Sequence, residues 1–92
     1  MTRHFDDPLY KNWRNSVYKR DKYTCQWPGC SKKNNLNAHH IKTWSEYPSL
    51  RFVVLNGITL CKYHHKMIRG SESYYEAVFY SIAKKNTVTD DK

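Results

Sequence analysis

C-Q-W-P-G-C at 25–30, N-A-H-H-I at 37–41, L-N-G-I-T-L at 55–60 and C-K-Y-H-H at 61–65 decide the fold of this chain. These blocks contain all three cysteines and four of the five histidines; only His4 lies outside them, and no role is read for it. Side chains of these two types gather in a short stretch when they bind metal. Cys25 and Cys30 flank Pro28-Gly29, a turn signal that brings two sulfurs together. Cys61 and His64 stand three residues apart at an expected helix start, and that spacing puts them on one face. Three thiolates and one imidazole are a ligand set that tetrahedral zinc accepts, so Cys25, Cys30, Cys61 and His64 read as a structural zinc site. The alternative is an incidental disulfide with one free thiol, for which an odd cysteine count without a secretion signal is a poor match.

His39, His40 and His65 remain. On a helix, adjacent residues project about 100° apart, so His65 cannot comfortably share an ion with His64. Consecutive strand residues diverge too, so one of His39 and His40 can bind metal while the other addresses a substrate.

Around this centre the sequence predicts short elements. Asp6-Asp7-Pro8 opens a helix that ends near Arg20, with Leu9, Trp13 and Val17 as its apolar face and Lys11, Arg14 and Lys19 pointing elsewhere. Arg14, Lys19 and Arg20 are candidates to touch phosphate. Lys22 to Cys25 reads as extended, Ser31 to Asn35 as a polar turn, and Leu36 to Ile41 as a strand that places Leu36, Ala38 and Ile41 in the core. Residues 42–54 are too apolar for a linker and read as an ordered connection. Asn56-Gly57 signals a turn, Ile58 to Leu60 a second strand, and Cys61 to Gly70 a helix with a glycine end. Ser73 to Glu76 has the form of a capping box for a last helix over about 74–84, with Tyr75, Val78, Phe79 and Ile82 on its apolar face. A polar tail follows over 85–92. No boundary divides the chain, so 1–92 reads as one α+β domain with its core at about 10–70.

At 92 residues the hydrophobic core is thin, and a metal staple would help it. Between Pro8 and Ser71 twelve basic side chains face two acidic ones, Asp21 and Glu46. Such an imbalance attracts polyanions, nucleic acid first, although acidic proteins or solubility alone would also account for it. No apolar run approaches the roughly 20 residues of a membrane span, and no signal core follows the first residues, so a soluble, intracellular (cytoplasmic) protein without a membrane partner is expected.

The knuckle at Cys25 and Cys30 with Cys61 and His64 resembles a treble-clef zinc finger. A-H-H-I at 38–41, N-G-I-T-L-C at 56–61 and H-H at 64–65, in this order behind the knuckle, resemble the HNH endonuclease family over about residues 10–70. That resemblance implies a ββα-metal (His-Me finger) core with N- and C-terminal flanking helices, and metal-dependent cutting or nicking of double-stranded DNA. It implies His40 as the general base, Asn56 as the residue that holds the base or its loop, and His39 and His65 as ligands of a catalytic divalent metal. Where relatives supply another ligand one turn after His65, this chain has Arg69, which suits phosphate instead. His39 stands where Asp is frequent, which softens the ligand set and admits Mn²⁺, Ni²⁺, Co²⁺ or Zn²⁺ beside Mg²⁺. Lys32, Lys33, Lys42, Lys62, Lys66 and Arg69 are candidates for DNA-backbone contacts. Little chain is left for reading bases, so low sequence specificity is expected. The resemblance also admits a homodimer, and a partner such as the DNA-packaging terminase of a phage or a role in a mobile element. Two rival readings stay open: a treble-clef module that binds DNA without cutting it, and a zinc-stapled interaction domain whose contact surface is Tyr74, Tyr75 and Tyr80.

Overall fold

A computed structural model describes residues 7–90, with the last three given by backbone alone. His4, Asp6 of the expected helix start and the end of the expected polar tail lie outside the described residues.

Helix α1 (Pro8–Arg20) begins where the sequence places it: Asp7 Oδ1 accepts from Leu9 N at 2.9 Å, and Pro8 takes the first helical position. Its buried stripe is Tyr10, Trp13, Val17 and Arg20, while Leu9 is 57% exposed. The three- and four-residue spacing from Tyr10 outcompetes the four-residue spacing from Leu9, because a stripe followed in steps of four alone drifts around the helix.

Arg20 is also not a phosphate contact. It is buried in a bidentate pair with Asp21, at 2.9 and 2.8 Å, and donates to Val54 O and Gly57 O. Asp21 in turn accepts from Thr59 N and from Asn86 Nδ2. A buried pair survives when its remaining donors and acceptors are satisfied, and these bonds tie the end of α1 to a strand and to the last helix. After Asp21 the chain does not extend as expected: Lys22 and Tyr23 both take left-handed φ values, 56° and 54°.

Strands β1 (Leu36–His40) and β2 (Gly57–Cys61) pair antiparallel, from Leu36 opposite Cys61 to His40 opposite Gly57. The connection over 41–56 is ordered, with 3₁₀ turns at Pro48–Leu50 and Val54–Asn56. Trp44, Phe52 and Val54 from this connection pack with Ala38 onto Tyr10, Trp13 and Val17, so α1 covers one face of the hairpin. Ile41, Ile58 and Leu60 pack with Ile68, Phe79, Ala83 and the sulfurs of Cys25 and Cys61 on the other. Gly57 is extended, and it is required for closeness: a Cβ there would stand 2.5 Å from Val17 Cγ2 and 2.6 Å from Trp13 Cζ2.

Cys61 closes β2 and caps α2 (Lys62–Met67), which is shorter than expected. Gly70, with φ +84°, turns the chain out of it. Ser73 does not cap the last helix but lies inside a 3₁₀ turn, Glu72–Tyr75, that leads into α3 (Glu76–Asp90). α3 continues through residues expected as tail, and there Asn86 finds partners in Asp21 and Gln26. No helix among the described residues is long and apolar enough to cross a membrane.

Candidate metal centre and catalytic cleft

Cys25 lies on the segment that pairs with β2, where Gln26 N donates to Thr59 O at 2.9 Å. Cys30 N donates to Trp27 O at 2.8 Å, which closes the turn, and Cys61 and His64 come from the β2–α2 junction. The ligand atoms of Cys25, Cys30, Cys61 and His64 all lie within 4.8 Å of one another. His64 Nδ1 is 3.3 Å from Cys61 Sγ and 3.8 Å from Cys25 Sγ. Zn–S and Zn–N bonds of about 2.3 and 2.0 Å at a tetrahedral angle put sulfur and nitrogen roughly 3.5 Å apart, so the group could hold a structural zinc ion. Trp27 stacks on His64 at 4.8 Å and 7° and fixes the ring. Burial pushes the Cys25 thiol up to about 11, so a metal binding there displaces a proton.

On the other side of α2 a cleft of about 560 Å³ is lined by His39, His40 and His65, with Lys62, Lys66 and Arg69 beside them. His39 faces α2 and α3: its ring centroid is 5.5 Å from that of His65 and 5.6 Å from that of Phe79. Two imidazoles on one ion hold their centroids roughly 5 Å apart, given metal–nitrogen bonds of about 2 Å. His39 is 5% exposed, and its Nε2 is buried without a hydrogen-bond partner. Burial, then the neighbouring His65 and His40, lower its pKa to about 3, which keeps it neutral as a ligand must be. His65 is also held below its usual range, by burial first and by Arg69 second.

His40 points to the opposite face of β1, stacked on Trp13 at 3.8 Å and 11°. Its Nε2 lies 2.9 Å from Arg51 O. A carbonyl only accepts, so Nε2 carries the proton in this contact. Trp13 Nε1 donates to Val53 O, so the stacked rings grip one stretch of the connection.

Asn56 does not line the cleft; it braces the connection from behind. Buried at 1% exposure, it accepts from Lys42 N at 2.8 Å and from Tyr80 Oη at 3.0 Å through Oδ1, and donates to Lys42 O and Leu50 O. Lys42 is turned away into an ion pair with Glu76 at 2.8 Å. Lys33 bonds Thr24 Oγ1, and neither it nor Lys32 lines the cleft. Lys62, Lys66 and Arg69 are thus the predicted basic residues that the fold brings to the three histidines. Of the expected contact tyrosines, Tyr74 is exposed, whereas Tyr75 packs on Trp27 and Phe79, and Tyr80 bonds Asn56.

The sequence left Tyr10, Trp44 and Glu72 out of this cleft. Tyr10 was legible in the spacing to Trp13 and Val17. Glu72 gave no signal, because a reversal of the chain at Gly70 brings it back.

No known family, curated protein or solved structure matches the chain. What stands on its own geometry is a small α+β fold with a two-stranded antiparallel sheet and a Cys3His group that could hold zinc.

Proposed function

We propose that the protein is a metal-dependent HNH-type endonuclease that hydrolyses phosphodiester bonds in double-stranded DNA, on a ββα-metal core stapled by a treble-clef zinc. The observation that carries this reading is the shared cleft: three imidazoles from a strand and a helix, with Lys62, Lys66 and Arg69 at their side. A divalent cation bound there supplies polarisation of a phosphoryl oxygen and stabilisation of the leaving 3′ oxygen.

The chain's own side chains do the rest. His39 and His65, both kept neutral by burial, are the imidazole ligands. His40, held by Trp13 and by Arg51 O, is the general base that takes the proton of the attacking water. Asn56 ties Lys42 to Leu50, the residue before Arg51, and so braces the connection that carries Arg51. Lys62, Lys66 and Arg69 neutralise the phosphates on either side of the scissile bond. The products are a 5′-phosphate and a 3′-hydroxyl. Backbone contacts of this kind carry no sequence information, so cleavage by the chain alone is of low specificity. A homodimer or a DNA-packaging partner would supply a second nick or a target, in the cytoplasm of the host of a phage or mobile element.

Supercoiled plasmid cleavage tests the reading, with wild type and His40→Ala compared in EDTA, Mg²⁺, Mn²⁺, Ni²⁺ and Zn²⁺. The expected result is relaxation or linearisation by wild type and a loss of about 10²–10⁴-fold in His40→Ala, with zinc content and circular dichroism unchanged. Binding of DNA by both proteins without cutting in any metal would install the rival module that only binds DNA.

A further inference from the structure

Arg51 belongs to none of the motifs of this chain, yet it meets the cleft at two of its wall residues. Its carbonyl holds His40 Nε2 at 2.9 Å, and its guanidinium lies 4.4 Å over the ring of Trp44. Arg51 Nε donates to Trp44 O at 2.6 Å, and Arg51 N closes the 3₁₀ turn Pro48–Leu50 by donating to Pro48 O at 3.3 Å. Stack, hydrogen bond and turn together fix the guanidinium before any ligand arrives. Nε is thereby used, whereas the two Nη groups have no hydrogen-bond partner among the described residues. Two other cations turned into the fold meet acids: Arg20 pairs with Asp21 and Lys42 with Glu76, each at 2.8 Å. Arg51 is half-buried, and no carboxylate among the described residues pairs with it. A partly desolvated cation with open donors is matched by an anion.

Successive strand side chains alternate, so His39 and His40 mark the two faces of β1. Lys62, Lys66 and Arg69 come from α2 and the turn after it, on the His39 side, where His65 of the same helix meets His39. Arg51 stands on the His40 side. We propose that Arg51 is a phosphate contact on that side, so that a bound DNA backbone is held from both faces of β1, an inference that rests on the cleft reading above. The planar fork of a guanidinium matches two phosphate oxygens, and the contact carries no base preference. Grip and chemistry are then joined in one residue, because the side chain that meets phosphate belongs to the carbonyl that seats His40.

The test is binding of a duplex oligonucleotide to the zinc-loaded full chain over a range of salt, read by fluorescence anisotropy, with no further divalent cation added so that DNA is bound and not cut. Wild type, Arg51→Gln, Arg51→Lys and Lys84→Gln are compared, each checked for zinc content and circular dichroism. Lys84 is an exposed cation of α3 outside the cleft wall and serves as the control for bulk charge. The expected result is an affinity lowered about tenfold in Arg51→Gln, by the same factor on unrelated sequences, with a plot of log affinity against log salt shallower by about 1. Lys84→Gln leaves both close to wild type. Arg51→Lys keeps the slope, because it keeps the charge, and loses part of the affinity, because it lacks the fork. Should Arg51→Gln lose its fold, Arg51→Lys decides alone, and binding equal to wild type then overturns the proposal. Wild-type affinity and slope in Arg51→Gln would overturn it and leave the cleft reading in place, with Arg51 reduced to a prop for Trp44. Equal losses in Arg51→Gln and Lys84→Gln would overturn it as well. If wild type binds no DNA, the cleft reading itself fails and Arg51 with it.

Discussion

The Cys3His knuckle and the histidine cleft lie on opposite sides of α2 and are built from adjacent residues, yet they are finished to different degrees. In the knuckle four donors converge within 4.8 Å and Trp27 clamps the one imidazole. In the cleft, of about 560 Å³, two imidazoles meet edge to face at 5.5 Å, and one buried nitrogen has no hydrogen-bond partner. A closed set staples the chain; an open one leaves room for chemistry. On the reading proposed above, the difference divides stability and function between two adjacent residues, His64 serving the staple and His65 the cleft.

The largest effect expected from breaking that division is on the knuckle. Chelation of the metal, or Cys61→Ser, should abolish cooperative unfolding in a thermal melt, since structural zinc contributes on the order of 10 kcal/mol to the folding of small domains. A sharp, unshifted transition in the metal-free chain would end the staple reading.

A smaller effect follows from acid. Folded His39 titrates at about 3 and unfolded His39 near 6.5, so the unfolded chain binds the extra proton between those values. The stability linked to neutral His39 is therefore complete above about pH 6.5 and drains as the pH falls toward 3. Its slope is at most about 1.4 kcal/mol per pH unit. Urea denaturation across that window, with wild type compared to His39→Leu, isolates this slope from protonation of the knuckle; equal slopes in the two proteins would contradict it.

The smallest effect carries the opposite sign. His39→Leu removes an unsatisfied buried nitrogen, and it should raise the stability of the zinc-loaded fold at neutral pH by about 1 kcal/mol, within the range such orphans cost. Any stabilisation measured beside loss of cation binding in the cleft would show a position kept for function against the interest of the fold. A destabilisation of several kcal/mol would make His39 an ordinary core residue.

Much of the fold was legible because its signals are local. Asp7-Pro8, the Pro28-Gly29 turn and the spacing of Cys61 to His64 each act over a few residues, and each element formed where those residues stand. What escaped depends on partners far along the chain. Arg20 reads as a solvated helix end until Asp21, Val54 and Gly57 surround it. The last helix reads as frayed beyond residue 84 until Asn86 meets Asp21 and Gln26. In the cleft, the three histidines and the basic residues at 62, 66 and 69 could be named from the order of the motifs and the family they resemble. The stacking of Trp13 on His40 joins residues 27 positions apart, and no local pattern announces it.

The missing side chain at position 57 also sets an order on change. Trp13 and Val17 press directly on the backbone of β2, so a methyl group at Gly57 collides with both before anything else moves. Residues 13, 17 and 57 thus behave as one unit of inheritance. Position 57 can leave glycine only after a smaller ring or branch has appeared on the helix, and the first of those steps would loosen the stack that seats His40. In a lineage of such chains the helix face and the strand glycine would change together or not at all.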